Sequence, residues 1–236
     1  MRILLKNRAL LKISGKDSEE FIQNQFSNDI EKLNHSSIQI NAYCQHQGKI
    51  IGLFWVMRYE DNFLLSFPID LADVIKSRLQ IFVIMSDVII DDISASYSQI
   101  GLIDEKHSNA YSINDRLSLI IDNTIDKFNS KIEGDTEWTL ACIKSSLPEV
   151  FLATSEKFVP QMLNLDINEI GVNFSKGCYP GQEVVARLHY LGSAKRRLFS
   201  FKSDHEMQVG DSLYCVNSKT ALARGDRYKG SGIVVS

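Results

Sequence analysis

Ala9, Leu11 and Ile13 recur at every second position, the period of a half-buried strand, and Gly15 closes the run. Asp17-Ser-Glu-Glu20 has the spacing of a capping box, with Asp17 as N-cap. Ile22, Phe26, Ile30 and Leu33 then fall on one stripe at helical spacing, which predicts a helix running to Leu33. Ile38, Ile40, Ala42 and Cys44 alternate again. Gln47-Gly-Lys49 is a turn signal, and Ile50 to Met57 is an apolar, β-branched and aromatic run, so the pair predicts a hairpin. Glu60-Asp-Asn62 turns the chain into a third strand, Phe63 to Phe67. Pro68 is placed to open a helix with Leu71, Val74, Ile75, Leu79 and Phe82 on its inner face. Val88 to Ile93 and Leu117 to Ile121 read as two more strands.

Asn123 to Asp135 is polar and reads as a surface loop. Asp135 or Thr136 caps a helix from Glu137 to Ser145, which Pro148 stops. Gln182 to His189 reads as another short helix, and the glycine-punctuated last forty residues as short strands and turns. Strands joined by short turns and interleaved with helices predict an α+β fold with antiparallel sheets rather than a doubly wound parallel one.

The chain has 236 residues, enough for one large or two smaller domains. With 44% apolar and 23% charged residues it is composed like a globular protein, which argues against long disorder. A net charge of -3 makes the chain as a whole a poor polyanion binder. No apolar run approaches the roughly 20 residues that span a bilayer, and the N-terminus lacks a signal or transit pattern. A soluble, cytoplasmic protein is expected. Cys44, Cys142, Cys178 and Cys215 are widely spaced, with no Cys-x-x-Cys pair. All four are expected to be reduced, and no stably bound metal is expected.

The densest unusual stretch runs from Phe174 to Arg187. Gly177 and Gly181 admit backbone angles and close approaches denied to other residues. Pro180-Gly181 suits the centre of a type II turn. Cys178 falls just before a helix N-terminus and near Lys176, which together favour a thiolate. His189 is the nearest candidate base, and a tight loop with an inert cysteine is the plainer alternative. Beyond this stretch, Arg187, Lys195, Arg196, Arg197 and Lys202 form a basic run without an acid. It reads as a solvated strand edge in preference to a nucleic-acid surface, because no aromatic RNA-binding signature accompanies it.

Lys176-Gly-Cys-Tyr-Pro-Gly-Gln-Glu183 resembles the K-G-C-[FY]-x-G-Q-E signature of the YgfZ family, folate-binding proteins implicated in iron–sulfur cluster assembly or repair and in tRNA modification through iron–sulfur enzymes. Gly15 with Asp17, Gln25-Phe-Ser-Asn-Asp29, Gly48-Lys49, Trp138 with Ile143, Phe158-Val-Pro-Gln161, Asn164-Leu165 and Val185-Ala-Arg187 extend the likeness over about residues 7 to 200. It implies the fold of the glycine-cleavage T-protein, an aminomethyltransferase. Residues 1–195 would form the folate-binding body, and 196–236 a short C-terminal β-barrel. It also implies that the protein binds tetrahydrofolate or a derivative and works with iron–sulfur enzymes or assembly proteins, without direct tRNA contact.

By this resemblance Trp138 stacks on a folate ring, Asn28 and Asp29 read the pterin edge, and Lys176 or later basic groups meet the glutamate tail. Gly177, Tyr179, Gln182, Glu183 and Arg187 complete the binding set, with Gln182 and Glu183 ordering the loop. Cys178 is the redox or cluster-facing thiol. Two departures stand out. Arg8 occupies a position where some relatives carry an aromatic residue associated with folate. The acidic pair of T-proteins falls here at Gly52 and Leu53, which have no proton to exchange. An auxiliary protein is therefore expected rather than a classical enzyme, the alternative being a folate-dependent aminomethyl or other one-carbon transferase.

Overall fold

The computed structural model describes residues 1–84, 86–123, 135–202, 207–214, 221–228 and 231–235, with backbone alone for Asp135 and from Ser212 onward. Cys215 and most of the polar loop expected after Asn123 lie outside these residues. The strands are β1 (Arg2–Leu4), β2 (Arg8–Ser14), β3 (Gln39–Cys44), β4 (Ile50–Tyr59), β5 (Asn62–Pro68), β6 (Ile89–Asp92), β7 (Ser98–Ile103), β8 (Tyr111–Ser112), β9 (Leu117–Asp122), β10 (Leu198–Lys202), β11 (Ser212–Tyr214), β12 (Ala221–Tyr228) and β13 (Ser231–Val235). The helices are α1 (Ser18–Gln25), α2 (Ala72–Gln80), α3 (Asp135–Lys144) and α4 (Gln182–Leu191). No helix among the described residues is long and apolar enough to cross a membrane.

Three sheets result, in the orders β3-β4-β5-β2-β6, β1-β7-β9-β8 and β10-β13-β12-β11. Every strand pair within them is antiparallel, as expected from the short turns. The five-stranded sheet carries the core. β2, β4 and β5 are buried on both faces, so Leu10 is as deeply covered as Ala9 and Leu11. On one face the register aligns Ile40, Trp55, Ser66 and Leu10, with Arg8 two residues from Leu10 on the same side. The second sheet packs here: the Gln99 amide on β7 donates to the Arg8 and Ala9 carbonyls at 3.2 Å, and its oxygen accepts from the Ser66 hydroxyl at 2.5 Å. Helix α3 lies on β1 and β7 and reaches β12 and β13.

Several sequence expectations are corrected. α1 stops at Gln25, because Phe26 turns extended and bridges to Tyr43; Ile30 sits in a separate 3-10 turn, and the apolar stripe is nonetheless buried. The capping box does not form: Asp17 makes no side-chain cap bond and its carboxylate accepts the Asp87 amide at 2.8 Å. Phe82 is 45% exposed beyond the end of α2, while Leu71, Ile75 and Leu79 are buried. β1 and β7 had no clear signal. Gly101 and the polar Ser98-Gln99 mask the period of β7, whose Gln99 is buried because the neighbouring sheet satisfies it.

Candidate functional site

Two of the motifs read from the sequence are tied together by the fold. Immediately after α1, the Ser27 hydroxyl donates to the Gly171 carbonyl at 2.6 Å and accepts the Ala42 amide at 2.8 Å. The Asn173 amide donates to the Ser27 carbonyl at 2.9 Å. Asn28 is fully enlisted: its amide nitrogen donates to the Ile40 and Ile170 carbonyls at 3.0 and 3.3 Å, and its oxygen accepts the Asp29 amide. Lys176 closes the knot. Its ammonium donates to the carbonyls of Gln23, Phe26 (2.6 Å) and Asn28 (3.0 Å), and burial pushes its pKa down to about 8 against the pull of Asp29 and Glu31. Burial works to raise the Asp29 carboxyl, but hydrogen bonds from Gln23 and Lys32 outweigh it and hold the group below its ordinary value.

The turn expected at Pro180-Gly181 is present. Gly181 has φ 82° and ψ 0°, and the Gln182 amide closes the turn on the Tyr179 carbonyl at 3.2 Å. A Cβ on Gly181 would lie 2.5 Å from the Gln45 carbonyl oxygen and 2.8 Å from the Gly48 Cα, so this turn is locked backbone to backbone against the β3–β4 hairpin. Gly181→Ala is therefore expected to cost about 2–4 kcal/mol, combining left-handed strain with a clash that no side chain can relieve. Urea denaturation measures it, and a loss under about 1 kcal/mol would mean the two turns separate freely. Gly177 differs from its expectation: its φ is not left-handed and a Cβ there would meet open space. The Gln182 side-chain amide donates to the Gly177 carbonyl at 3.4 Å.

Cys178 is exposed, and the two groups expected near it are engaged with other partners. Lys176 is committed to its three carbonyls and sits over the Tyr179 ring at 5.5 Å, while His189 stacks on Phe174 at 3.8 Å. Tyr179 is buried with its phenol raised by burial and by neighbouring Cys44. Cys44 is itself buried, its thiol pushed from 9.0 to about 12; burial also raises Cys142. A thiol held protonated in the fold contributes stability below pH 9, which is lost as pH rises towards about 12 because the unfolded thiol ionises first. Between those limits unfolding free energy should fall less steeply in Cys44→Ala than in wild type, by up to about 1.4 kcal/mol per pH unit. Parallel slopes would show that Cys44 ionises in place.

Trp138 and Arg8 meet at one small pocket of about 50 Å³, shared with Glu149 and Phe151. Trp138 is 5% exposed, edge-on to Trp55 at 6.1 Å, with its ring against Gly101. Arg8, which the sequence marked only as a departure, stacks over Trp55 at 3.8 Å, donates to Ser66 and pairs with Glu149. Glu149, Ser66 and Gln99 were not legible as its partners. From Trp55 the same sheet face leads to Ile40, a wall of a groove of about 640 Å³ that also includes Asn28, Lys32, Asn114, Glu169 and Asn173. Asn28 thus lines the groove and Trp138 the small pocket, two cavities with no lining residue in common. Gly52 and Leu53 lie within β4, and Leu53 is buried. Glu183 and Arg187 are exposed on α4.

No protein-family model matches the chain. Among curated proteins, a "tRNA-modifying protein YgfZ" from Colwellia psychrerythraea is 30% identical over 236 residues, covering 86% of this chain and 72% of its own. A protein of the same name from Buchnera aphidicola is 27% identical over 233 residues, covering 85% and 72%. An uncharacterised protein from Haemophilus influenzae is 30% identical over 220 residues, covering 89% and 77%. A crystal structure of glycine cleavage system aminomethyltransferase T from Bartonella henselae matches with a TM-score of 0.69 at 12% identity, covering 99% of this chain and 77% of that one. That last likeness is one of fold.

Proposed function

This chain belongs to the YgfZ family, and from that premise we propose that it is a cytoplasmic, tetrahydrofolate-binding auxiliary protein for iron–sulfur cluster assembly or repair. It acts on tRNA modification through iron–sulfur enzymes, in keeping with the name tRNA-modifying protein that its relatives carry. We take residues 1–195 as the folate-binding body and 196–236 as a short C-terminal barrel. The observation that carries the reading is the knot itself. Lys176 and Asn173 bind the segment after α1, Gly181 locks onto the Gly48 hairpin, and Cys178 is left as an exposed thiol on the loop between these two ties.

The groove suits folate in size. The groove lies within the roughly 300–1,000 Å³ of ligand sites. Asn114 and the exposed Glu169 carboxylate offer polar groups to a pterin edge, Lys32 carries charge for a glutamate tail, and Trp138 lines the separate small pocket. Open space over Gly177 leaves room for close approach. Bound tetrahydrofolate supplies a carrier for a one-carbon unit. The aminomethyltransferase alternative needs a carboxylate that Gly52 and Leu53 do not provide.

Titration calorimetry of tetrahydrofolate into the full chain, with Gly177→Ala and Trp138→Phe beside wild type, tests the folate site. Wild-type binding that weakens in a folded variant supports the folate reading, and no wild-type binding ends it. Cys178→Ser is expected to fold normally and to lose nearly all support of iron–sulfur enzyme activity. Full support by that variant would remove the thiol from the function.

A further inference from the structure

The basic run after α4 acquires in three dimensions what it lacked in sequence. His189 stacks on Phe174 with ring centroids 3.8 Å apart and planes at 18°. Tyr190 stands edge-on to both, at 4.8 Å from His189 and 6.0 Å from Phe174. Phe174 comes from the bend before the cysteine loop, outside α4, so helical spacing alone does not announce the cluster. Tyr190 is 66% and Leu191 83% exposed, a large apolar exposure for a helix end that only had to cover its own core.

The cations around this cluster are of two kinds. Arg197 is spent: it donates to Asp166 at 2.5 and 3.0 Å and to the Gln161 carbonyl at 2.9 Å. Arg187, Lys195 and Arg196 are exposed, with no ion pair recorded among the described residues. From Val184 to Lys202 the sequence contains no acid. Arg187 and Tyr190 are three residues apart on α4 and share a face. A solvated edge accounts for the charges but not for exposed rings. An acidic protein partner also accounts for the charges and leaves the stacked, edge-braced rings without a role. Rings that present a face or edge for stacking, flanked by unpaired cations, are what a single-stranded nucleic acid recognises: bases stack and phosphates pair.

We propose that the C-terminal turn of α4 and the loop following it form a contact surface for single-stranded RNA, with Tyr190 and His189 stacking bases and Arg187, Lys195 and Arg196 meeting phosphates. This goes beyond the function proposed above, in which tRNA is reached only through client enzymes, and it does not depend on folate. A ten-residue helix is about 15 Å long, so the surface lies at the opposite end of α4 from the Cys178 loop. Failure of folate binding leaves the inference standing.

The test is fluorescence anisotropy of a short labelled single-stranded RNA, and of the same sequence as a duplex, against the full chain. Binding at about 50 mM salt is expected to fall about 20-fold on raising salt fourfold, the dependence of about three phosphate contacts on a single strand. The single strand should bind more tightly than the duplex. Tyr190→Ala should weaken binding about tenfold with an unchanged salt slope. Arg187→Gln combined with Lys195→Gln and Arg196→Gln should flatten the slope. These positions are exposed, so unchanged melting temperatures confirm intact folds. No binding at low salt overturns the proposal, as do variants that bind like wild type. Equal binding of polyglutamate also overturns it, by making the patch an acceptor of any acidic chain.

Discussion

Lys176→Met is expected to lower the unfolding free energy by about 2–4 kcal/mol. Methionine keeps the apolar stem and removes only the ammonium. That ammonium donates to the carbonyls of Gln23, Phe26 and Asn28, at and just past the end of a helix whose own last turn has no basic residue. A helix end leaves carbonyls without partners and carries partial negative charge, so a cation brought in from a distant loop satisfies both needs. Removing it leaves buried acceptors unpaired, and this outweighs the desolvation released with the charge. Loss of the tether also frees the Cys178 loop, so under the function proposed above support of iron–sulfur enzymes should fall together with stability. A denaturation midpoint equal to wild type would show that water replaces the ammonium, and would return Lys176 to the list of ligand-binding groups.

Trp138→Ala is expected to cost about 3–5 kcal/mol in unfolding free energy, the range for a large aromatic side chain lost from a core. The ring fills the space above Gly101, where an added Cβ would come within 2.5 Å of it, and it meets Trp55 edge-to-face. Its removal opens a cavity between α3 and two sheets that rigid strands cannot close. Trp138→Phe should recover most of the stability and so separates packing from ligand binding. A cost below about 1 kcal/mol in the alanine variant would place the ring in an open cleft rather than a packed seam. The same cavity bears on Arg8, whose guanidinium covers Trp55 on the neighbouring side while pairing with Glu149.

These two residues also mark where sequence reading stopped. Lys176 and Trp138 were identified by the patterns around them, but each was assigned outward to a ligand. In the fold each first faces the protein: one ends α1 and the other holds three elements together. The same is true of Asn28, whose side-chain amide is used in full by Ile40, Ile170 and Asp29. His189 was the nearest base to Cys178 along the chain, yet its ring is taken by Phe174. Chain proximity is a poor guide to side-chain contact on a helix, where direction turns by about 100° per residue.

What the sequence determined by itself was local. Alternating and continuous apolar runs set β2, β3, β4 and β5, Pro180-Gly181 set its turn, and the Lys176–Glu183 signature set the family. Each of these is encoded by neighbours within a few residues, where backbone preference and hydrophobic period act directly. The tertiary structure alone decided where α1 ends, that a polar strand with Gln99 lies inside, that Arg8 and Trp138 share a pocket, and that Phe174 joins His189 and Tyr190 beside unpaired cations. Those outcomes rest on hydrogen bonds and packing between segments from about fifteen to more than a hundred residues apart. A buried donor or acceptor must be satisfied by whatever group the fold brings to it, and no local pattern records which group that is.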